Sequence, residues 1–149
     1  MSPGSRPEPL VFFTDRCLGR GIVPHALRAQ GLQVETHADN FPEQETEAEE
    51  DDTRWLSAVG MKGWIILTKD KQISRNQVEL VALYNSGAAS FVLTSGQATG
   101  EAVAQSFISA IPAIEEIMKR FEPPFVASVT GSGAVRMLLT RSNVIKNLK

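Results

Sequence analysis

Two stretches decide how the chain reads: "LVFFTDRCLGRGI" at residues 10–22 and "GWIILTKDKQI" at residues 63–73. Each is a run of bulky apolar residues that stops on Thr and then an acid. The first acid is Asp15 and the second is Asp70. Short, continuous apolar runs are the mark of strands buried on both faces. A buried strand that ends on a carboxylate needs a reason, because an unpartnered charge in such a place is costly.

Working outward from these runs, helical and extended patterns alternate. A helix is expected after Gly21 to about Gln30, with Ile22, Val23, Ala26 and Leu27 at helical spacing and Gly31 as its stop. "LQVET" predicts a second strand. "HADNFPEQETEAEEDD" predicts a polar loop, with seven acids in its last ten residues. Trp55, Leu56 and Val59 fall on one helical face, so a short helix is expected from the acids to Gly60. Another helix is expected from Arg75 to Asn85, then a strand over "ASFVLTSG". A long helix follows, with Val103, Phe107, Ala110, Ile114, Ile117 and Phe121 spaced by four and three, and with Pro112 expected to kink or split it. "PPFVASVT" predicts a fifth strand. This alternation implies an α/β fold with a mostly parallel central sheet. In such sheets ligands bind beyond the carboxyl ends of the strands. Asp15 and Asp70 would share that edge.

The chain has 149 residues, 42% hydrophobic and 21% charged, which suits one globular domain. A net charge of −2 excludes broad electrostatic capture of nucleic acid, so any such contact is local or metal-assisted. Cys17 is the single cysteine, so no internal disulfide and no Cys-based zinc site is expected, and a cytoplasmic home fits. No apolar run is long enough to span a bilayer, and "MSPGSRPEP" carries no apolar signal segment. Residues 1–9 are expected to be a flexible lead-in, residues 10–130 the folded domain, and residues 131–149 a Gly/Ser-rich and then basic tail.

Asp52 precedes Trp55, Leu56 and Val59 by three, four and seven residues, which puts it on the sheet-facing side of its helix. Asp15, Asp52 and Asp70 could then converge. Without a cation they would repel, and some would take up protons. Mg²⁺ or Mn²⁺ prefers oxygen ligands and would resolve the conflict. Each acid also has a plainer role open to it: Asp52 as a helix cap, Asp15 as a turn residue, Asp70 as part of a surface cluster with Lys69 and Lys71. His25 reads as structural or exposed. His37 stands beside the acidic loop with no second His at ligand spacing. Cys17 has no paired His to make it a nucleophile. Neither "VTGSGAV" nor "TSGQATG" has the order of a nucleotide phosphate loop. Trp55 and Trp64 read as core residues.

"FFTDRCLGRGIVPHALRAQG" followed by "DDTRWLSAVGMKGWIILTKDKQI" resembles the PIN-like domains, in the branch related to toxin ribonucleases of VapBC-type systems. The likeness lies in a first strand ending in Asp, a helix reading "LR..G", an Asp opening a helix as D-x-x-W-L, and a third strand ending in "LTKD". It covers roughly residues 10–125. It implies a PIN-like three-layer α/β/α sandwich and a Mg²⁺- or Mn²⁺-dependent ribonuclease. Asp15, Asp52 and Asp70 would be its metal-binding and catalytic acids, with Asp51 as the neighbour that competes with Asp52. Lys69, Lys71, Arg16 and Arg20 would hold the RNA backbone. A fourth polar group is common in the family. Thr94 and Ser95 are the candidates for it, ahead of Glu79 within a helix. The partners implied are RNA, a cognate antitoxin that inserts a basic side chain among the acids, and a second copy in a homodimer.

Two other readings stay open. A receiver-like phosphorylation switch would use Asp70 as phosphoacceptor, although "EPPF" lacks the Lys-Pro usual at its fifth strand. A catalytically inactive interaction module would keep the fold and need no metal. With 7% aromatics, no base-stacking platform is visible.

Overall fold

The computed structural model describes residues 10–19, 21–42, 53–69, 77–96 and 99–147. Six strands form one sheet in the order β2-β1-β3-β4-β5-β6. They are β1 (Val11–Thr14), β2 (Gln33–Thr36), β3 (Ile65–Thr68), β4 (Ala89–Leu93), β5 (Phe125–Val129) and β6 (Val135–Leu139). The first five run parallel, and β6 pairs antiparallel with β5. The helices are α1 (Ile22–Ala29), α2 (His37–Asn40), α3 (Thr53–Met61), α4 (Gln77–Ser86), α5 (Gly100–Arg120) and α6 (Arg141–Asn147).

The apolar runs form buried strands because both sheet faces are covered. On one face Phe12, Ile65, Leu67, Phe91 and Phe125 pack with Val23 and Leu27 of α1 and with Phe107, Ala110 and Ile114 of α5. On the other, Phe13, Ile66, Val92 and Val126 pack with Trp55, Leu56 and Val59 of α3, Leu83 of α4 and Val144 of α6. Successive strand residues alternate between the two cores, so Phe12 and Phe13 are each buried but in different layers. The result is the expected three-layer α/β/α sandwich with a mostly parallel sheet.

The expected strands occur where the apolar runs lie, and three elements differ from the reading. Pro112 does not split α5, which is one helix from Gly100 to Arg120. Thr99 caps its start by accepting from the Ala102 amide at 3.1 Å. Residues 37–52 are expected to form one polar loop. Instead Thr36 accepts from the Asp39 amide and opens the short α2. Residues 131–149 were expected to be a tail, yet residues 135–147 complete the fold as β6 and α6. The reason is visible in the strand: Val135, Met137 and Leu139 are half-buried while Arg136 and Leu138 face solvent. Val144 then closes the second core, fully buried. Among the described residues no helix is long and apolar enough to cross a membrane.

Strand order reverses between β1 and its two neighbours. β2 follows β1 on one side, and β3 lies on the other. That is the topological switch point, where the carboxyl ends of adjacent strands leave a crevice. Asp15 stands at this point.

Candidate functional site

Asp15 continues β1 in extended conformation, and its amide donates to the Leu67 carbonyl of β3 at 3.0 Å. Its side chain caps the single turn Arg16–Leu18 by accepting from the Arg16 amide. Asp15 is 4% exposed, and its carboxylate accepts from three donors: the Arg16 amide at 2.6 Å, Thr68 Oγ1 at 2.7 Å and Cys17 Sγ at 3.4 Å. Thr68 is itself fully buried at the end of β3. Cys17 Sγ lies 3.3 Å from Thr68 Oγ1 and accepts from the Lys69 amide at 3.4 Å. Asp15 is thereby fastened to the end of β3 directly, by its amide to Leu67 and its carboxylate to Thr68, and indirectly through Cys17.

Burial pushes the Asp15 carboxyl above the ordinary carboxylate range. The Thr68 hydroxyl, the Arg16 amide, the Cys17 thiol and the charge of His37 all pull the other way. Burial also pushes the Cys17 thiol up to about 12, helped by the neighbouring Asp15 charge. A thiol so placed is a neutral donor and not a nucleophile. The expectation that Cys17 is no catalytic thiol has a physical basis in this environment.

The other sequence candidates fall into two groups. Asp51, Asp52, Asp70, Lys71 and Arg20 lie outside the described residues. Lys69, exposed, and Arg16, half-exposed, flank Asp15 and the end of β3. Thr94 and Ser95 follow β4. The Thr94 amide and hydroxyl both donate to the Val129 carbonyl, at 3.0 and 3.4 Å, so this residue serves the junction with β5. Ser95 differs: its buried Oγ has no hydrogen-bond partner among the described residues, and neither has Thr14 Oγ1, one residue before Asp15. Glu79 lies within α4.

Two residues gain a significance the sequence did not give them. Thr68 read only as the end of a strand, and it is the closest side-chain partner of Asp15 across the site. His37 read as a loop residue, and it is 2% exposed at the start of α2. The repeated apolar-Thr-acid ending was the signal for the first. Nothing in "HADN" gave the second.

The donor set suits a hard divalent cation. A carboxylate whose charge burial disfavours gains most from a cation. Among the described residues no three of His, Cys, Asp and Glu gather in one place. Among the described residues the candidate site comprises Asp15 with its hydroxyl and thiol partners.

An α/β sandwich with a buried acid at its switch point defines a class of small site-bearing domains. The sequence comparisons narrow it: residues 10–95 match the family described as PIN like domain, and the chain belongs to that family. It is 33% identical over 126 residues to a Mycobacterium tuberculosis protein named "Putative ribonuclease VapC45", an alignment spanning 85% of this chain and 90% of that protein. This sets the chain within the VapC-type branch. No solved structure matches it.

Proposed function

We propose that the chain is a Mg²⁺- or Mn²⁺-dependent endoribonuclease, the toxin of a toxin–antitoxin pair. The observation that carries this is the buried Asp15 carboxylate at the switch point, clamped by Thr68, in a chain related to a protein named as a ribonuclease. Asp15, Asp52 and Asp70 would hold the ion. When bound, such an ion supplies an activated water and neutralises charge on a phosphodiester.

The chain's own residues do the rest. Thr68 and the Arg16 amide favour the ionised Asp15 carboxylate against the effect of its burial and fix its direction. Lys69 and Arg16, with Lys71 and Arg20, would hold the RNA phosphates on either side of the acids, a sequence-independent contact. Ser95, with its unpartnered hydroxyl, is favoured over Thr94 as the fourth polar group. The antitoxin would cover this edge and present a guanidinium to the acids in place of the ion. A homodimer and a cytoplasmic setting belong to the same reading.

Family membership favours this over the receiver-like switch, whose phosphoacceptor would have to be Asp70. The deciding experiment is cleavage of a structured RNA by purified protein with MnCl₂, beside Asp15→Asn, Asp52→Asn, Asp70→Asn and Asp51→Asn. Cleavage lost at positions 15, 52 and 70 and kept at 51 is the expected result. A folded wild type that neither binds Mn²⁺ nor cuts RNA would transfer the assignment to the non-catalytic interaction module.

A further inference from the structure

Among the described residues, the contacts to the Asp15 carboxylate are divided unevenly between its two oxygens. Oδ2 accepts from Thr68 Oγ1 at 2.7 Å and from Cys17 Sγ at 3.4 Å. Oδ1 accepts from the Arg16 amide at 2.6 Å. A carboxylate offers about four lone-pair positions, shared equally by its oxygens. Oδ2 is therefore occupied, and the position left over is on Oδ1. The hold on Oδ2 comes from two segments. Thr68 closes β3 and is fully buried. Cys17 lies in the turn after β1, with its sulfur 3.3 Å from Thr68 Oγ1 and accepting from the Lys69 amide at 3.4 Å. The Asp15 amide donates to the Leu67 carbonyl, so the backbone carrying the acid is tied to the same strand as Thr68.

This division bears on which ion the acid can serve. Ca²⁺ gathers about six to eight oxygens and often takes both oxygens of one carboxylate. Mg²⁺ and Mn²⁺ accept an octahedral oxygen shell, and Mg²⁺ usually keeps several waters in it. One oxygen from Asp15 is enough for them. Donors that only eased the burial of the charge would favour every divalent ion alike. Donors gathered on one oxygen penalise an ion that needs both.

Building on the metal-site reading above, we propose that Thr68 and Cys17 set the cation preference of the site: by holding Oδ2 they leave Asp15 a single oxygen for the ion, which selects Mn²⁺ or Mg²⁺ over Ca²⁺. Both are positioning residues that act through the carboxylate, and neither touches the ion. Outer groups of this kind commonly alter metal affinity by about 10–100-fold.

The test compares MnCl₂ with CaCl₂ by calorimetry on the full chain, as wild type, Thr68→Val, Thr68→Ser, Cys17→Ala and Cys17→Ser. Wild type is expected to bind Mn²⁺ at least about tenfold more tightly than Ca²⁺. Thr68→Val frees Oδ2, so this preference should shrink by about tenfold, with Mn²⁺ affinity falling more than Ca²⁺ affinity. Cys17→Ala should act in the same direction and less, because its contact is the longer one. Thr68→Ser and Cys17→Ser keep a donor and should keep the preference. Equal losses for both ions in folded Thr68→Val would reduce the pair to support for a buried charge and overturn the proposal, as would a wild type without preference. A second measurement needs no variant. Cys17 is the single thiol of the chain, so its S–H stretch stands alone in the infrared spectrum. The band is expected to lie below its position in the urea-unfolded chain and to stay there when MnCl₂ is added. A return to the unfolded position on adding MnCl₂ would mean that the ion has taken Oδ2, and it overturns the proposal even if the substituted chains fail to fold. A wild type that binds neither ion sinks the nuclease reading and the proposal together, whereas Mn²⁺ binding with a preference unaltered by Thr68→Val sinks the proposal alone.

Discussion

Thr68 Oγ1 donates to Asp15 Oδ2 at 2.7 Å, across 53 residues of sequence and inside a region where neither residue meets solvent appreciably. The bond joins the ends of β1 and β3, the two strands whose apolar runs both finish at this edge. It lowers the cost of keeping a carboxylate charged in a buried place, and it fixes where the free lone pairs face.

Thr68→Val keeps the shape and removes the donor. The expected loss is about 1–3 kcal/mol of stability, since a charged acceptor is left short of one bond. Mn²⁺ affinity should fall as well, because the carboxylate becomes easier to protonate and freer to turn. Urea unfolding and calorimetry measure the two effects. Thr68→Ser retains the hydroxyl and should restore most of both.

Asp15→Asn should abolish RNA cleavage and yet leave the metal-free protein more stable at neutral pH. The folded-state pKa of Asp15 is raised, so the folded chain binds this proton more tightly than the unfolded one. Stability from this group therefore declines as pH rises from the unfolded value through the folded one, and the deficit persists above it. Asn carries no charge to desolvate. Its oxygen can accept from the Arg16 amide while its NH₂ donates to Thr68 Oγ1. Thermal melts in EDTA between pH 5 and pH 8, a range of about three units chosen around neutrality, are the check. A lower melting temperature for Asp15→Asn throughout would contradict the argument. Added MnCl₂ should stabilise wild type by about 2.7 kcal/mol at a hundred times its dissociation constant, and leave Asp15→Asn unmoved.

Cys17 should resist alkylation. With its pKa pushed up to about 12, it holds roughly a thousandfold fewer thiolates than an ordinary cysteine near neutral pH. Iodoacetamide labelling of the folded protein should keep rising steeply past pH 10, with no plateau at the ordinary thiol value of about 8.5. Asp15→Asn removes a charge that raises this pKa and should speed the labelling. A plateau near the ordinary value would mean the thiol is not enclosed as described.

The sequence disclosed the parts of this molecule that depend on neighbours along the chain. Val11 to Thr14 and Ile65 to Thr68 announce buried strands because no polar residue interrupts them, and a helix between them makes the strands parallel. Asp15 follows as an acid at a shared edge. What the sequence could not disclose depends on contacts across it. The link from Thr68 to Asp15 requires the pairing of β1 with β3. The burial of His37 requires Phe13, Phe41 and Trp55 to close around a polar tetrapeptide. The final strand was hidden for another reason: Arg136 and its basic neighbours outweighed a period-two alternation only five residues long.

Gly60 offers a test of how α3 is set against α4, and thus of what holds the helix that Asp52 precedes. A Cβ at Gly60 would stand 2.4 Å from Ser86 Cβ and 2.9 Å from the Ser86 carbonyl oxygen. Ser86 cannot readily yield, because its hydroxyl donates to the Leu83 carbonyl and accepts from the Ala88 amide as α4 ends. Gly60→Ala therefore has to push the two helices apart, although alanine is the better helix former. The expected cost is about 1–3 kcal/mol, the usual range for overpacking, and urea unfolding would read it. Adding Ser86→Gly should recover only part of the loss. The side-chain clash disappears, but the carbonyl at 2.9 Å remains and two hydrogen bonds are given up. If Gly60→Ala is instead neutral or stabilising, the helices are not in the close contact described. A Mn²⁺ affinity that falls with Gly60→Ala would show in turn that the spacing of α3 from the sheet governs the site.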